Sequence, residues 1–165
     1  MTLERTLGYL AAWSAIGCAV FSAYVVVVFR TGIVYTARKE DGTLKKRIPL
    51  SGYLNMLILL LGIVGFQVVA NYLGLVRKAL EIGFFPLFLL NFGHYLILFI
   101  FDTIVIDGLV LSVWRPGFLQ LPDAIGAGSM KKHILLSIPV GTVAGIGLTA
   151  VSTVVSYFAL FSQLS

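Results

Sequence analysis

Asn91, His94, Tyr95, Asp102 and Asp107 are the side chains in this 165-residue chain best suited to hold or move a proton or a cation. All five lie in one otherwise apolar run, Leu87 to Trp114. A charged side chain at the centre of a membrane helix costs about 2.5–3.5 kcal/mol on insertion scales, so ionisable groups in such a run mark proton or ion chemistry or a buried hydrogen bond. On a regular helix turning about 100° per residue, Asn91, Tyr95 and Asp102 fall within about 40° of one another and form a polar stripe. His94 is about 80° from Asp102, and Asp107 is about 140° from it. A regular helix therefore keeps the two carboxylates on different faces and offers no acid/base dyad. Asp102 stands mid-run, away from every Lys and Arg. It is expected as the neutral acid, donating a hydrogen bond to Gln67 or Asn71 of another segment, or to a backbone carbonyl. Asp107 lies nearer the end of the run, within snorkelling reach of Arg115 or Lys131, and is expected to stay ionised.

Other chemistries fail on spacing or composition. Metal ligation from a single helix needs partners three or four residues apart, and neither His94–Asp102 nor Asp102–Asp107 has that separation. No metal or cofactor set is expected. There is no CxxC, GxSxG, P-loop or GxGxxG. Asp107-Gly108 begins like a phosphatidyl-alcohol transferase motif whose remainder is absent. The one cysteine, Cys18, excludes an intrachain disulfide. Ala15-Ile16-Gly17-Cys18 has the look of a lipoprotein box, but the apolar run continues beyond it and reads as an uncleaved helix. With no nucleophile in a recognisable setting, the reading leans away from an enzyme.

The elements that must position these residues follow from hydropathy. The chain is 59% hydrophobic and 12% charged, against about 25% charged in soluble domains. Four apolar runs, at about 7–29, 53–76, 87–114 and 134–161, each reach the ~20 residues that a bilayer crossing needs. The expectation is an all-α membrane protein: one domain over 1–165, built as a four-transmembrane-helix bundle. The net charge of +5 sits between the apolar runs, which points to lipid headgroups and topology rather than nucleic acid. In the loop from Thr31 to Ser51, Asp41-Gly42 signals a turn between two short β-prone arms. A small basic hairpin is expected there, with Arg38, Lys39, Lys45, Lys46 and Arg47 facing headgroups.

Within the spans, Gly62 and Gly65 suggest a close backbone approach. Gln67 and Asn71, four apart, share a face and are offered as partners for the third helix. The stretch from Arg115 to His133 holds two prolines and cannot be regular helix throughout. Ser137, Gly141, Gly145, Thr149 and Thr153 recur every four residues. Gly141 and Gly145 form a GxxxG element, expected to pack within the chain rather than to dimerise. Pro139 should kink or loosen the start of the fourth helix. Lys and Arg in and beside the first and third loops number nine, against three on the other side. That asymmetry places both termini outside.

Phe101-Asp102-Thr103-Ile104-Val105-Ile106-Asp107, with Arg115-Pro116-Gly117-Phe118 and Leu121-Pro122 after it, resembles a pattern in uncharacterised four-helix bacterial membrane proteins. The likeness covers a small part of the chain, and Gly108 stands where that pattern has Trp. The resemblance implies a bacterial inner membrane and no particular activity. Two functional classes are expected: proton- or cation-coupled movement of a small solute, or an accessory subunit of a larger membrane complex. The partners implied are the lipid bilayer and either a second copy or another membrane protein.

Overall fold

The computed structural model describes residues 2–33, 49–78, 82–119 and 127–161, the side chains of 78, 127–136, 160 and 161 excepted. Among the described residues there is no strand. Helix α1 covers Leu3–Arg30, α2 Leu50–Gly74, α3 Phe84–Phe101 and α4 Ala127–Ser156. A π-helical segment, Asp102–Trp114, continues α3, and a short π-helical stretch, Tyr157–Phe161, continues α4. Four helical stretches, Leu3–Arg30, Leu50–Gly74, Phe84–Trp114 and Ser137–Ala159, are long and apolar enough to cross a membrane. The expected basic hairpin, with Arg38, Lys39, Lys45, Lys46 and Arg47, lies outside the described residues.

The helix ends differ from the expected ones for local reasons. Thr2 caps α1, its hydroxyl accepting from the Arg5 N–H at 3.5 Å, so the helix starts ahead of the apolar run. Helix α2 begins directly after Pro49, which occupies the cap. Helix α3 begins at Phe84 rather than Leu87 because Pro86 sits in the first turn, where a missing N–H costs nothing. Helix α4 starts at Ala127 and runs unbroken through Pro139. The expected irregular stretch therefore ends earlier, and the expected loosening at Pro139 does not interrupt the helix.

The π segment is the largest departure from the sequence reading. Phe84–Trp114 spans 31 residues, and a straight α-helix of that length would reach about 46 Å, well beyond a ~30 Å hydrocarbon core. A π turn holds more residues for a given rise and so shortens the span. The i→i+5 register persists to the end, where the Arg115 N–H donates to the Val110 carbonyl at 2.8 Å. Arg115 then turns left-handed, with φ 46° and ψ 58°, and Pro116 stops the helix. A non-glycine residue in that region costs on the order of 1–3 kcal/mol.

Around the bundle the order is α1, α3, α4, α2, with α1 and α2 meeting only sparsely. Apolar clusters close the two ends. Tyr9, Ala70, Leu75, Leu87 and Leu90 form one, and Val25, Phe29, Ile106, Leu111 and Leu119 the other. The middle is polar inside and apolar outside. Gln67, Asn71, Asn91, His94, Ser152 and Thr153 are buried, while Leu57, Leu61, Val143 and Val151 are exposed. Water would penalise so apolar a surface, and lipid would not.

Close approach comes from glycines other than Gly62 and Gly65. A Cβ added at either of those meets nothing within 4 Å. At Gly74 it would lie 2.6 Å from Tyr9 Cε2 and 2.7 Å from Trp13 Nε1. At Gly141 and Gly145 it would collide with the rings of Phe99 and Tyr95. Gly141 and Gly145 of α4 are thus slots for aromatic rings of α3.

Candidate functional site

Three groups of polar residues lie along α3 and its continuation, each with a different degree of satisfaction. The first is a hydrogen-bonded seam joining α2, α3 and α4. The Gln67 Nε2 donates to the Asn91 carbonyl at 2.9 Å, and the Ser152 hydroxyl donates to Gln67 Oε1. The Asn71 Nδ2 donates to Ser156 Oγ at 2.9 Å, and the Tyr9 hydroxyl donates to Asn71 Oδ1 at 2.8 Å. The Asn91 Nδ2 donates to Thr153 Oγ1 at 3.1 Å. The Gln67–Ser152 and Asn71–Ser156 pairs have the same sequence offset, 85 residues. That shared offset is what two helices running in the same direction produce, one turn to the next. Further along, the Tyr95 hydroxyl donates to the Gly141 carbonyl at 2.7 Å, a contact that needs the missing Cβ of the neighbouring glycine slots.

Gln67 and Asn71 therefore serve Asn91, Ser152, Ser156 and Tyr9 rather than Asp102. The reason is depth. Asp102 is eleven residues beyond Asn91, roughly 16 Å along a helix. Among the described residues, no hydrogen bond joins Asp102 to Gln67 or Asn71. The seam serines were missed by the sequence reading, which counted only small residues every four positions. Thr149, Ser152, Thr153 and Ser156 form an i, i+3, i+4, i+7 polar set, and that spacing marks one buried helical face.

The second group is Asp102 and Asp107 in the π segment. Both are half-buried. In an i→i+5 helix, residues five apart stack one turn above the other. The Ser112 hydroxyl, bonded to the Asp107 carbonyl at 2.7 Å, repeats the same offset. The π register thus turns onto one face the two carboxyls that a regular helix would separate. They lie within electrostatic reach of each other, and Asp102 also within reach of Tyr95. The stripe expected from Asn91 through Tyr95 to Asp102 therefore extends to Asp107.

The third group surrounds a cavity of about 160 Å³ between α1 and α2, floored by α3. Tyr–Asn hydrogen bonds clasp the two helices beyond it at both ends. Tyr9 bonds Asn71, and the Tyr24 hydroxyl donates to Asn55 Oδ1 at 2.8 Å. The gap between them is lined by Val20, Phe21, Ile58, Ile63, Phe66 and Leu98, with His94, Gln67, Tyr24 and Tyr95 as the polar groups. His94 is 4% exposed. Its imidazole hydrogen-bonds to the Trp13 backbone and its Nδ1 has no partner. The ring stacks at an angle on Phe66, centroids 5.3 Å apart, and Nε2 is the nitrogen facing Gly17. His94 thus belongs with α1 and the cavity, not with the aspartates.

Among the described residues no three of His, Cys, Asp and Glu gather into a group able to hold a metal ion. No protein-family model matches the chain, and neither a curated protein nor a solved structure matches it.

Proposed function

We propose that this chain is an integral membrane protein that takes part in proton- or cation-coupled movement of a small solute, with Asp102 and Asp107 as the groups that carry the ion. The observation that supports this reading is the π register of residues 102–114, which sets two half-buried carboxyls on one helical face. Intramembrane ionisable residues default to ion or proton pathways, and π segments recur at functional sites. Like charges within electrostatic reach of each other disfavour double ionisation, which suits groups that take up and release one proton or cation at a time. The α2–α3–α4 seam is filled by side chains bonded to one another. An ion path past the carboxyls then runs beside the bundle, and a second copy would complete it. By the charge count both termini face outside. The resemblance of residues 101–122 to bacterial four-helix proteins suggests the inner membrane.

The test is flux into proteoliposomes, with a pH-sensitive dye inside and Na⁺ or K⁺ gradients across the membrane. The wild type should carry protons or one of the cations, and Asp102→Asn should lose that flux with its melting temperature kept. Flux no greater than in protein-free vesicles under every gradient would overturn the reading. A second reading, an accessory subunit, draws on the partial exposure of both carboxyls, which suits a cation on a partner's helix. Co-purification of one defined partner, lost in Asp107→Asn, would favour it.

A further inference from the structure

We infer that residues 102–114 alternate between the π register and a regular α register, and that charge on the carboxyl pair sets the balance. The switch builds on the reading of Asp102 and Asp107 as the ion carriers and names what loading them does to the helix. Burial repeats every five residues along the segment. Ile106 and Leu111 are buried, and Pro116 follows at the same interval. Ile104, Leu109 and Trp114 are exposed at that interval, and Asp102, Asp107 and Ser112 are half-buried at it. Ile106 and Leu111 thereby join one apolar cluster with Val25, Phe29 and Leu119. Their packing holds the π register. Repulsion between the two carboxylates, which lie within electrostatic reach of each other, opposes it.

The second register is available to the same residues. A π turn takes about one residue more than an α turn, so between Phe101 and Leu109 the two registers diverge by about half a turn. In the α register Leu109 turns inward and Leu111 outward, and one leucine replaces the other against the cluster. Asp107 leaves the face of Asp102 and stands about 140° from it. The core keeps a leucine in both registers, while the carboxyls are together in one and apart in the other. The segment is also longer as an α-helix, and its end has a place to take up the difference. Arg115 is left-handed, with φ 46°, and exposed Gly117 follows buried Pro116. Sparsely populated backbone conformations of this kind cluster at switch regions. A proton or cation on the pair removes the repulsion and favours π, and two negative charges favour α.

The test is oriented-sample solid-state NMR in bilayers, with ¹⁵N in the Ile, Val and Leu amides. The readout is the angle by which the signals advance per residue along Ile104–Ile106 and Leu109–Leu111: about 80° in the π register and about 100° in the α register. The wild type should give about 80° at pH 5 and about 100° at pH 9. The double variant Asp102→Asn with Asp107→Asn should give about 80° at both. Other titratable or charged groups lie at this end of the bundle. Tyr95 of α3 is within electrostatic reach of Asp102, and Tyr24 of α1 packs against the cluster of Ile106 and Leu111. Lys131, Lys132 and His133 stand in the first turns of α4, which packs on the segment, and Arg115 closes it. The double variant keeps all of them, so a shift that they cause survives in it. One spacing at both pH values in the wild type, a shift that persists in the double variant, or a double variant fixed at about 100° would overturn the inference. Proteoliposome flux measured on the same samples separates the two ideas. A shift without flux sinks the ion-carrying reading alone, and flux with a fixed register sinks the switch alone.

Discussion

The face that α2 shares with α4 and the face that it shares with α1 use the same vocabulary to opposite ends. On the first, Gln67 and Asn71 meet serines one turn apart at a constant offset, and every contact adds to a continuous seam. On the second, Asn71 and Asn55 meet tyrosines only at the two ends, and the middle stays open. Side-chain length decides the difference. Serine lets two helices approach until amide and hydroxyl touch, whereas tyrosine reaches across from a distance. In lipid, where apolar contact between helices earns little, such interhelical hydrogen bonds average about 0.6 kcal/mol and close packing supplies the rest. The seam should therefore carry stability and the clasped face should carry room.

The largest effect is expected where packing is tightest. Gly145→Leu drives a side chain into the Tyr95 ring and pulls the Tyr95 hydroxyl from the Gly141 carbonyl. Overpacking of this kind costs about 1–3 kcal/mol, and the upper end is expected. Thermal unfolding in detergent measures it, and an unchanged melting temperature would mean that α3 and α4 are not so closely apposed. Next comes Gln67→Leu, which removes the bond to the Asn91 carbonyl and the one from the Ser152 hydroxyl, leaving Ser152 only its bond to the Thr149 carbonyl at 3.1 Å. A loss of about 1–2 kcal/mol is expected.

How much of this was legible beforehand depends on which physics each feature needs. Four apolar runs are read directly from composition, and the helices appear where they were expected. Gln67 and Asn71 could be recognised as one polar face because four residues make one turn. Their partners could not, because an amide four residues from another fits any depth of the facing helix. Asp102 was assigned to them, and Ser152 and Ser156 hold that place. The π segment was illegible for a different reason. Its residues, largely β-branched and aliphatic, carry no signal for an i→i+5 register. The angle of about 140° between Asp102 and Asp107 holds only for a regular helix. Gly62 and Gly65 misled because glycine in a membrane helix marks either a close approach or a space, and sequence does not distinguish the two.

A smaller effect separates the two faces more finely. Tyr24→Phe removes one clasp, the 2.8 Å bond to Asn55 Oδ1, on a half-buried tyrosine. It should cost about 0.6 kcal/mol, the average for an interhelical bond in membranes. A loss as large as that of Gln67→Leu would show that α1 is held as firmly as α4, and the contrast between the faces would fall.

The smallest expected effect has the opposite sign. Gly65 is exposed, and a Cβ there meets nothing within 4 Å. It lies one turn from both Leu61 and Val69, which are also exposed, so it faces away from the seam. Glycine inside a helix is about 0.5–1 kcal/mol worse than alanine because it leaves the unfolded chain more freedom. Lipid constrains the unfolded helix and shrinks that difference, so Gly65→Ala should raise the melting temperature slightly or leave it unchanged. A clear fall is the informative alternative. It would mean that a neighbouring backbone covers Gly65 in the assembled protein, as a second copy packed on α2 would. Repeating the measurement at tenfold lower protein concentration separates the cases: a penalty that disappears on dilution belongs to a contact between chains, and one that persists belongs to the fold.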